Sequence, residues 1–226
     1  MGAPEPLIIY KKLRGHFGFL NWWPGETPFE ILVGAILTQQ TTWKNVEKAI
    51  LSLKKAQSLD IKIIAKMPIR KLELLIRSSG YYKQKAKRLR DICNRIIKDH
   101  GSLEELFKIQ RDELRKLLLS YSGIGKETAD SIVLYAANKP EFVIDTYTKR
   151  AMNRINPDIK DNVGYDELKL YFEQRIDRKV SLYQDFHAQF VELGKNYCKK
   201  NGPLCSRCPL SHICHFSLNK QQIKTL

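Results

Sequence analysis

The chain of 226 residues carries 39 Lys and Arg against 24 Asp and Glu, a formal net charge of +15, and 43% of its residues are hydrophobic. That much apolar material excludes a disordered tail or low-complexity segment as the main content and leaves room for one large domain or two compact lobes. No apolar run approaches the roughly 20 residues needed to cross a bilayer, and Met1 to Tyr10 shows no basic segment followed by an apolar one, so an intracellular, cytoplasmic protein without a membrane partner is expected. The charge surplus favours a polyanion, nucleic acid ahead of an acidic membrane surface, because no segment reads as a basic amphipathic anchor.

Apolar residues recur at helical spacing through most of the chain, and alternating strand patterns are nearly absent. The three tryptophans, Trp22, Trp23 and Trp43, lie in one window near the N-terminus; they can pack a core or offer aromatic faces to a planar ligand. Thr27-Pro28-Phe29-Glu30 supplies a cap, a first-turn proline and the answering carboxylate of a helix start. Val46, Ala49, Ile50 and Leu53 form an apolar helix stripe. Gly80 and Gly101 are helix stops, and Ser102 with Glu105 opens the next helix. Cys93 falls among Leu89, Ile92, Ile96 and Ile97 at helical spacing and reads as a small core residue. About ten short helices joined by tight loops are expected, an all-α protein with its main break at Asn138-Lys139-Pro140-Glu141 and a weaker one at Asn156-Pro157-Asp158.

Ser122-Gly123-Ile124-Gly125-Lys126-Glu127-Thr128-Ala129 follows a helix ending near Tyr121 and precedes a second, read as Asp130 to Ala137. Gly123 and Gly125 let the backbone approach a ligand and turn N–H groups outward, which suits a phosphate; a plain interhelical turn is the alternative. Asp145 ends the apolar run Phe142-Val143-Ile144 ahead of a helical segment, where an aspartate is a helix N-cap and, if its carboxylate faces a cleft, can also be catalytic.

Four of the five cysteines are close together, Cys198-x6-Cys205-x2-Cys208-x5-Cys214, so four soft thiolates on one Gly/Pro-containing loop can converge on a metal centre. Structural zinc sites usually bring two closely spaced pairs, whereas here only one pair is Cys-x2-Cys. That favours an iron-sulfur cluster over zinc, for which His212 and His215 could replace two thiolates. The loop also presents Lys199, Lys200 and Arg207 for phosphate contact.

Taken together, the segment Gly123 to Ala129, then Val143-Ile144-Asp145-Thr146 with Arg150, Asn153 and Arg154, then the cysteine loop, resembles the helix-hairpin-helix base-excision DNA glycosylases of the endonuclease III superfamily, over about residues 20 to 214. The resemblance implies a two-lobed all-α fold. Residues 26–139 would form a six-helix barrel lobe carrying the hairpin, and residues 1–25 plus 140–226 a lobe carrying the catalytic aspartate and a [4Fe-4S] loop. It implies damaged double-stranded DNA as partner and a monomeric enzyme, with Asp145 catalytic and Cys198, Cys205, Cys208 and Cys214 as cluster ligands. It also implies that Gly123, Gly125 and Lys126 grip the DNA backbone, that Gln40 fills the gap left by a flipped base, and that Tyr81 wedges the opposite strand.

The departure from the bifunctional members is at Glu127, where they carry the lysine that forms a Schiff base with the sugar. Lys126 is adjacent, but one residue along a helix start turns a side chain by about 100°. A monofunctional glycosylase is therefore expected. A closer resemblance, to the 3-methyladenine DNA glycosylase branch, rests on Asn21-Trp22-Trp23-Pro24, Phe29 through Gln39, Ser79 through Leu89, and Gly123 through Asp130 with Glu127 included. It implies alkylated purines as substrate, with Trp43 and Trp22 or Trp23 in the base pocket beside Glu127. The competing readings are a glycosylase and lyase for oxidised pyrimidines, and a non-catalytic iron-sulfur DNA-binding protein.

Overall fold

The structure is a computed structural model that describes residues 3–20, 22 and 25–222. Among these residues it contains thirteen α-helices, two 3-10 turns, one π-helical segment and no strand. The chain divides into two compact units, Met1–Trp22 with Pro140–Leu226, and Trp23–Lys139.

The chain enters through α1 (Pro6–Phe17), with proline in its first turn and Gly18 at φ +76° ending it, and then builds the second unit from α2 to α9. Helix α2 (Pro28–Leu37) starts where the sequence marks it, with the Thr27 hydroxyl accepting from the Glu30 N–H. The Glu30 carboxylate is buried, accepts from the Glu26 N–H at 3.2 Å and meets Lys54 at 3.0 Å. Helix α3 (Trp43–Lys55) buries the expected stripe of Val46, Ala49, Ile50 and Leu53. Two short helices, α4 (Ile61–Lys66) and α5 (Ile69–Leu75), are separated only by Met67-Pro68, and a 3-10 turn (Arg77–Ser79) ends at Gly80 with φ +66°. The long α6 (Tyr82–His100) buries Ala86, Leu89, Ile92, Cys93 and Ile96, so Cys93 is the core residue its spacing suggested. Helices α7 (Leu103–Lys108) and α8 (Arg111–Leu119) follow, the former capped by the Ser102 hydroxyl on the Glu105 N–H.

The helix after the glycine hairpin begins at Lys126, four residues before the expected start at Asp130, as α9 (Lys126–Ser131), and continues as a π-helical segment (Ile132–Ala136). The early start is possible because Gly125 is itself the N-cap in extended geometry. Asp130 is fully buried against Arg115 on α8, with Oδ1 at 2.6 Å from Nε, and fixes α9 to that helix. The helix count exceeds ten because proline and extended caps cut single periodic stretches into six- and seven-residue helices.

The first unit resumes with α10 (Thr146–Ile155), α11 (Tyr165–Glu173), α12 (Val180–Asn196) and α13 (His215–Gln222), with a 3-10 turn (Cys205–Arg207) in the cysteine loop. Its core is aromatic. Phe142 stacks on Phe172 at 4.3 Å and Phe186 on Phe190 at 4.9 Å, each fully buried ring contributing about 1.5–3 kcal/mol. Helices α10 and α12 pack with almost no gap at Gly194, where an added Cβ would stand 2.2 Å from Tyr147 Cδ1. Lys169 on α11 pairs with the buried Glu141, and Glu173 accepts from the Phe142 N–H at 3.0 Å. These contacts hold the extended segment that delivers Asp145.

Candidate active site

Asp145 is the N-cap of α10, with φ −95° and ψ 179°. Its Oδ1 accepts from the Thr148 N–H at 2.7 Å. Its Oδ2 lies 3.6 Å from Nε2 of His187 on α12, beyond hydrogen-bond length but within ion-pair reach. Both side chains are buried, at 10% and 4% exposure. Burial alone would push the Asp145 carboxyl up; His187 and the Thr148 cap outweigh it and hold the group below the ordinary carboxylate range, so it is ionised at neutral pH.

Trp22 sits half-buried in the same unit. Its ring packs edge-on against His187 with centroids 5.5 Å apart, and the Lys195 ammonium lies 5.8 Å from the ring centre. The segment leading to Trp22 is held by α12. Asp185 Oδ1 accepts from the Leu20 N–H at 2.9 Å, its Oδ2 accepts from Tyr10 and Arg14 of α1, and Gln189 donates to the Gly18 carbonyl at 2.7 Å. Asp185, His187 and Gln189 are thus three polar side chains among the otherwise mostly apolar buried residues of α12, the first and third organising the N-terminal segment and the middle one meeting Asp145. Sequence reading passed over His187; the signal was this polar alternation between Tyr183, Phe186 and Phe190.

In the second unit the hairpin is closed by the Ile124 N–H on the Tyr121 carbonyl at 3.0 Å. Gly123 adopts φ +83°, and an added Cβ would fall onto the Arg88 guanidinium. Gly125 has ordinary extended geometry and faces open space, so nothing in the chain itself requires glycine there. Lys126 and Glu127 occupy the first turn of α9, both exposed. Gln39 joins the hairpin to the end of α2: its amide donates to the Gly123 carbonyl and the Thr128 hydroxyl, each at 3.0 Å, and its oxygen accepts from Arg88. The next residue, Gln40, is exposed and left-handed at φ +55°. Tyr81 is likewise left-handed at φ +47° and 63% exposed. Such backbone angles are uncommon outside glycine; Gln57 and Asn138 share them, so the angle alone does not mark a DNA contact.

The two segments share an anchor. The buried Lys85 ammonium donates to the carbonyl of Leu37, just before the Gln39–Gln40 turn, at 2.8 Å and to the carbonyl of Ser79, just before Gly80–Tyr81, at 2.6 Å. Burial, aided by the charge of Arg88, pushes its pKa down to about 8. A cavity beside the hairpin is lined by Lys87, Arg88 and Arg95 with Tyr121 and Ser122. Trp43 begins α3, half-buried against the core, its ring edge over Gly34. Trp23 lies outside the described residues.

The cysteine loop belongs to the first unit and is clasped by α10. Arg150 donates to the Cys198 carbonyl at 2.8 Å, and Arg154 donates to Cys198 Sγ at 3.3 Å and to the carbonyls of Lys199 and Lys200. The Lys199 and Lys200 side chains remain exposed. Cys198, Cys205, Cys208 and Cys214 are all half-buried and free of disulfides. Burial pushes the Cys208 thiol up to about 11, and the sulfurs of Cys198, Cys214 and Cys205 add to the rise, so those three lie within electrostatic reach of Cys208. Among the described residues no group of three or more His, Cys, Asp or Glu side chains is gathered as a site for a metal ion.

Among the described residues the chain is all-helical, with a glycine hairpin and a buried aspartate cap, as the resemblance implies, and the comparisons agree. The HhH-GPD superfamily of base excision DNA repair proteins matches residues 33–177. A Methanocaldococcus jannaschii protein whose name makes it a DNA repair glycosylase is 45% identical over 91% of this chain and 94% of its own. Endonuclease III of Bacillus subtilis is 31% identical over 84% of this chain and 81% of its own. Among solved structures, the H. pylori 3-methyladenine DNA glycosylase MagIII bound to 1,N6-ethenoadenine superposes with TM-score 0.76 at 33% identity, covering 85% of this chain and 98% of that one. An endonuclease III–DNA complex shares the fold, with TM-score 0.82 at 24% identity over 96% of both chains. The chain belongs to the HhH-GPD superfamily and is a base excision repair DNA glycosylase whose partner is DNA. No helix among the described residues is long and apolar enough to cross a membrane.

Proposed function

We propose that this enzyme is a monofunctional glycosylase that removes alkylated purines, above all 3-methyladenine, from double-stranded DNA. The observation that carries the reading is Glu127 in the first turn of α9, where bifunctional relatives carry an amine; a carboxylate cannot form a Schiff base with the sugar. Similarity to a 3-methyladenine glycosylase at 33% identity supports the substrate class.

Alkylation gives the purine a positive charge and makes it a good leaving group. Little general acid is then needed, and the chief task is to stabilise the oxocarbenium-like sugar and guide water to the anomeric carbon. Asp145, buried yet ionised, is suited to both. The aromatic faces of Trp22 and Trp43 attract a cationic base more strongly than a normal one. Gln40 and Tyr81 serve as plug and wedge, and Gly123, Gly125 and Lys126, with Lys199 and Lys200, hold the phosphate backbone. The open space before Gly125 suits a close backbone approach.

Cys198, Cys205, Cys208 and Cys214 would hold a [4Fe-4S] cluster, zinc being the alternative. The donor set fits: four half-buried thiols lie on one loop, and burial holds Cys208 and Cys214 protonated until a cationic centre would deprotonate them. When bound, the cluster pins the loop that Arg150 and Arg154 clasp.

Wild-type protein incubated with methylated duplex DNA should release 3-methyladenine and leave sites that nick only after alkali. Borohydride trapping of a covalent protein–DNA adduct would instead favour the glycosylase/lyase reading for oxidised pyrimidines, to which the endonuclease III relatives lend weight.

A further inference from the structure

We propose that His187 is a positioning residue for the Asp145 carboxylate, fixing Oδ2 toward the reacting sugar; the inference rests on Asp145 being the catalytic carboxylate. The cap bond from Thr148 engages Oδ1 alone. A carboxylate held by one oxygen keeps freedom about its terminal torsion, which is broad and roughly two-fold. His187 Nε2, 3.6 Å from Oδ2, supplies a second point of reference.

The setting argues against a filler role for His187. It lies between Phe186 and Phe190 on a buried face of α12, where a leucine or phenylalanine would fill the space without the cost of burying a polar ring. A carboxylate and a polar ring buried together also interact more strongly than they would in water. Two residues to either side of His187 along α12, Asp185 and Gln189 hold the segment leading to Trp22 at Leu20 and Gly18. Its ring packs edge-on against Trp22. One side chain therefore touches the carboxylate and the aromatic residue proposed to receive the base.

The test compares wild type, Asp145→Asn, His187→Gln and His187→Phe on duplexes carrying 3-methyladenine, 1,N6-ethenoadenine or thymine glycol. Single-turnover excision is measured separately from binding to an uncleavable abasic-analogue duplex. His187→Phe should slow excision about tenfold or more, less than the 10²–10³-fold cost of removing a direct transition-state donor, with binding unchanged within about twofold. His187→Gln, which keeps a donor, should recover most of the rate. Carbon-13 NMR of the Asp145 carboxyl should show its titration midpoint rise in His187→Phe, and His187→Leu replaces it if the phenylalanine overpacks. An inactive Asp145→Asn beside a His187→Phe of full rate and unchanged carboxyl titration overturns this inference alone. An Asp145→Asn that keeps full activity overturns the catalytic reading and this one with it.

Discussion

Replacing Asp145 separates its two roles, helix cap and charged group. Its Oδ1 is the acceptor for the Thr148 N–H in a buried site, so Asp145→Ala leaves that donor without its partner. Loss of an N-cap costs about 0.5–2 kcal/mol, and a buried unsatisfied donor lies toward the upper end. We therefore expect a loss of about 2 kcal/mol, which for a chain of this size lowers Tm by about 4–8 °C. Asp145→Asn keeps a capping oxygen and should melt close to wild type at neutral pH while losing base excision. The sign with pH follows from the depressed carboxyl. The charge of Asp145 contributes stability that is fully present above the unfolded value of about 3.9 and is lost as pH falls through the lower folded value. Any stability margin of wild type over Asp145→Asn should be flat from pH 5 to 8 and shrink only below about pH 4. Calorimetric melts of the three proteins across that range check this. An Asp145→Ala that melts with wild type, or a margin that changes near neutrality, would refute the reasoning.

Gly194→Ala places a methyl group inside the contact with Tyr147 and should cost about 1–3 kcal/mol as α10 and α12 are forced apart, readable as a lower denaturant midpoint. Gly123→Ala must hold φ +83° with a Cβ and displace Arg88 from Gln39. It should lose about 1–2 kcal/mol, and duplex DNA affinity should weaken with it by fluorescence anisotropy. Lys85 is buried with a lowered pKa, so the unfolded chain holds its proton more tightly and wild-type stability gains as pH rises from about 8 toward 10.5. The advantage of wild type over Lys85→Met should therefore grow across that interval in urea titrations.

The local signals were readable because they are local. Thr27-Pro28, Ser102 with Glu105, Gly80 and Gly101 determine helix ends through bonds spanning only a few residues, and Asp145 is a cap by the same logic. The glycine hairpin was visible, but the start of α9 was misplaced by four residues because Gly125 can cap through its backbone without a side-chain signature. The partners that tie the candidate site together were not legible. His187 meets Asp145 across 42 positions, and Lys85 reaches Leu37 across 48. Helical periodicity describes such residues only as occupants of a buried face. The resemblance to a family named the chemistry; it could not show which neighbours hold the carboxylate.

The central claim, that Asp145 drives hydrolysis of the glycosidic bond of an alkylated purine, is tested most directly by base release from methylated duplex DNA with wild type beside Asp145→Asn. The account predicts 3-methyladenine released by wild type and not by Asp145→Asn, with strand nicks appearing only after alkali. Equal release by both proteins, or no release of 3-methyladenine by wild type, would contradict it.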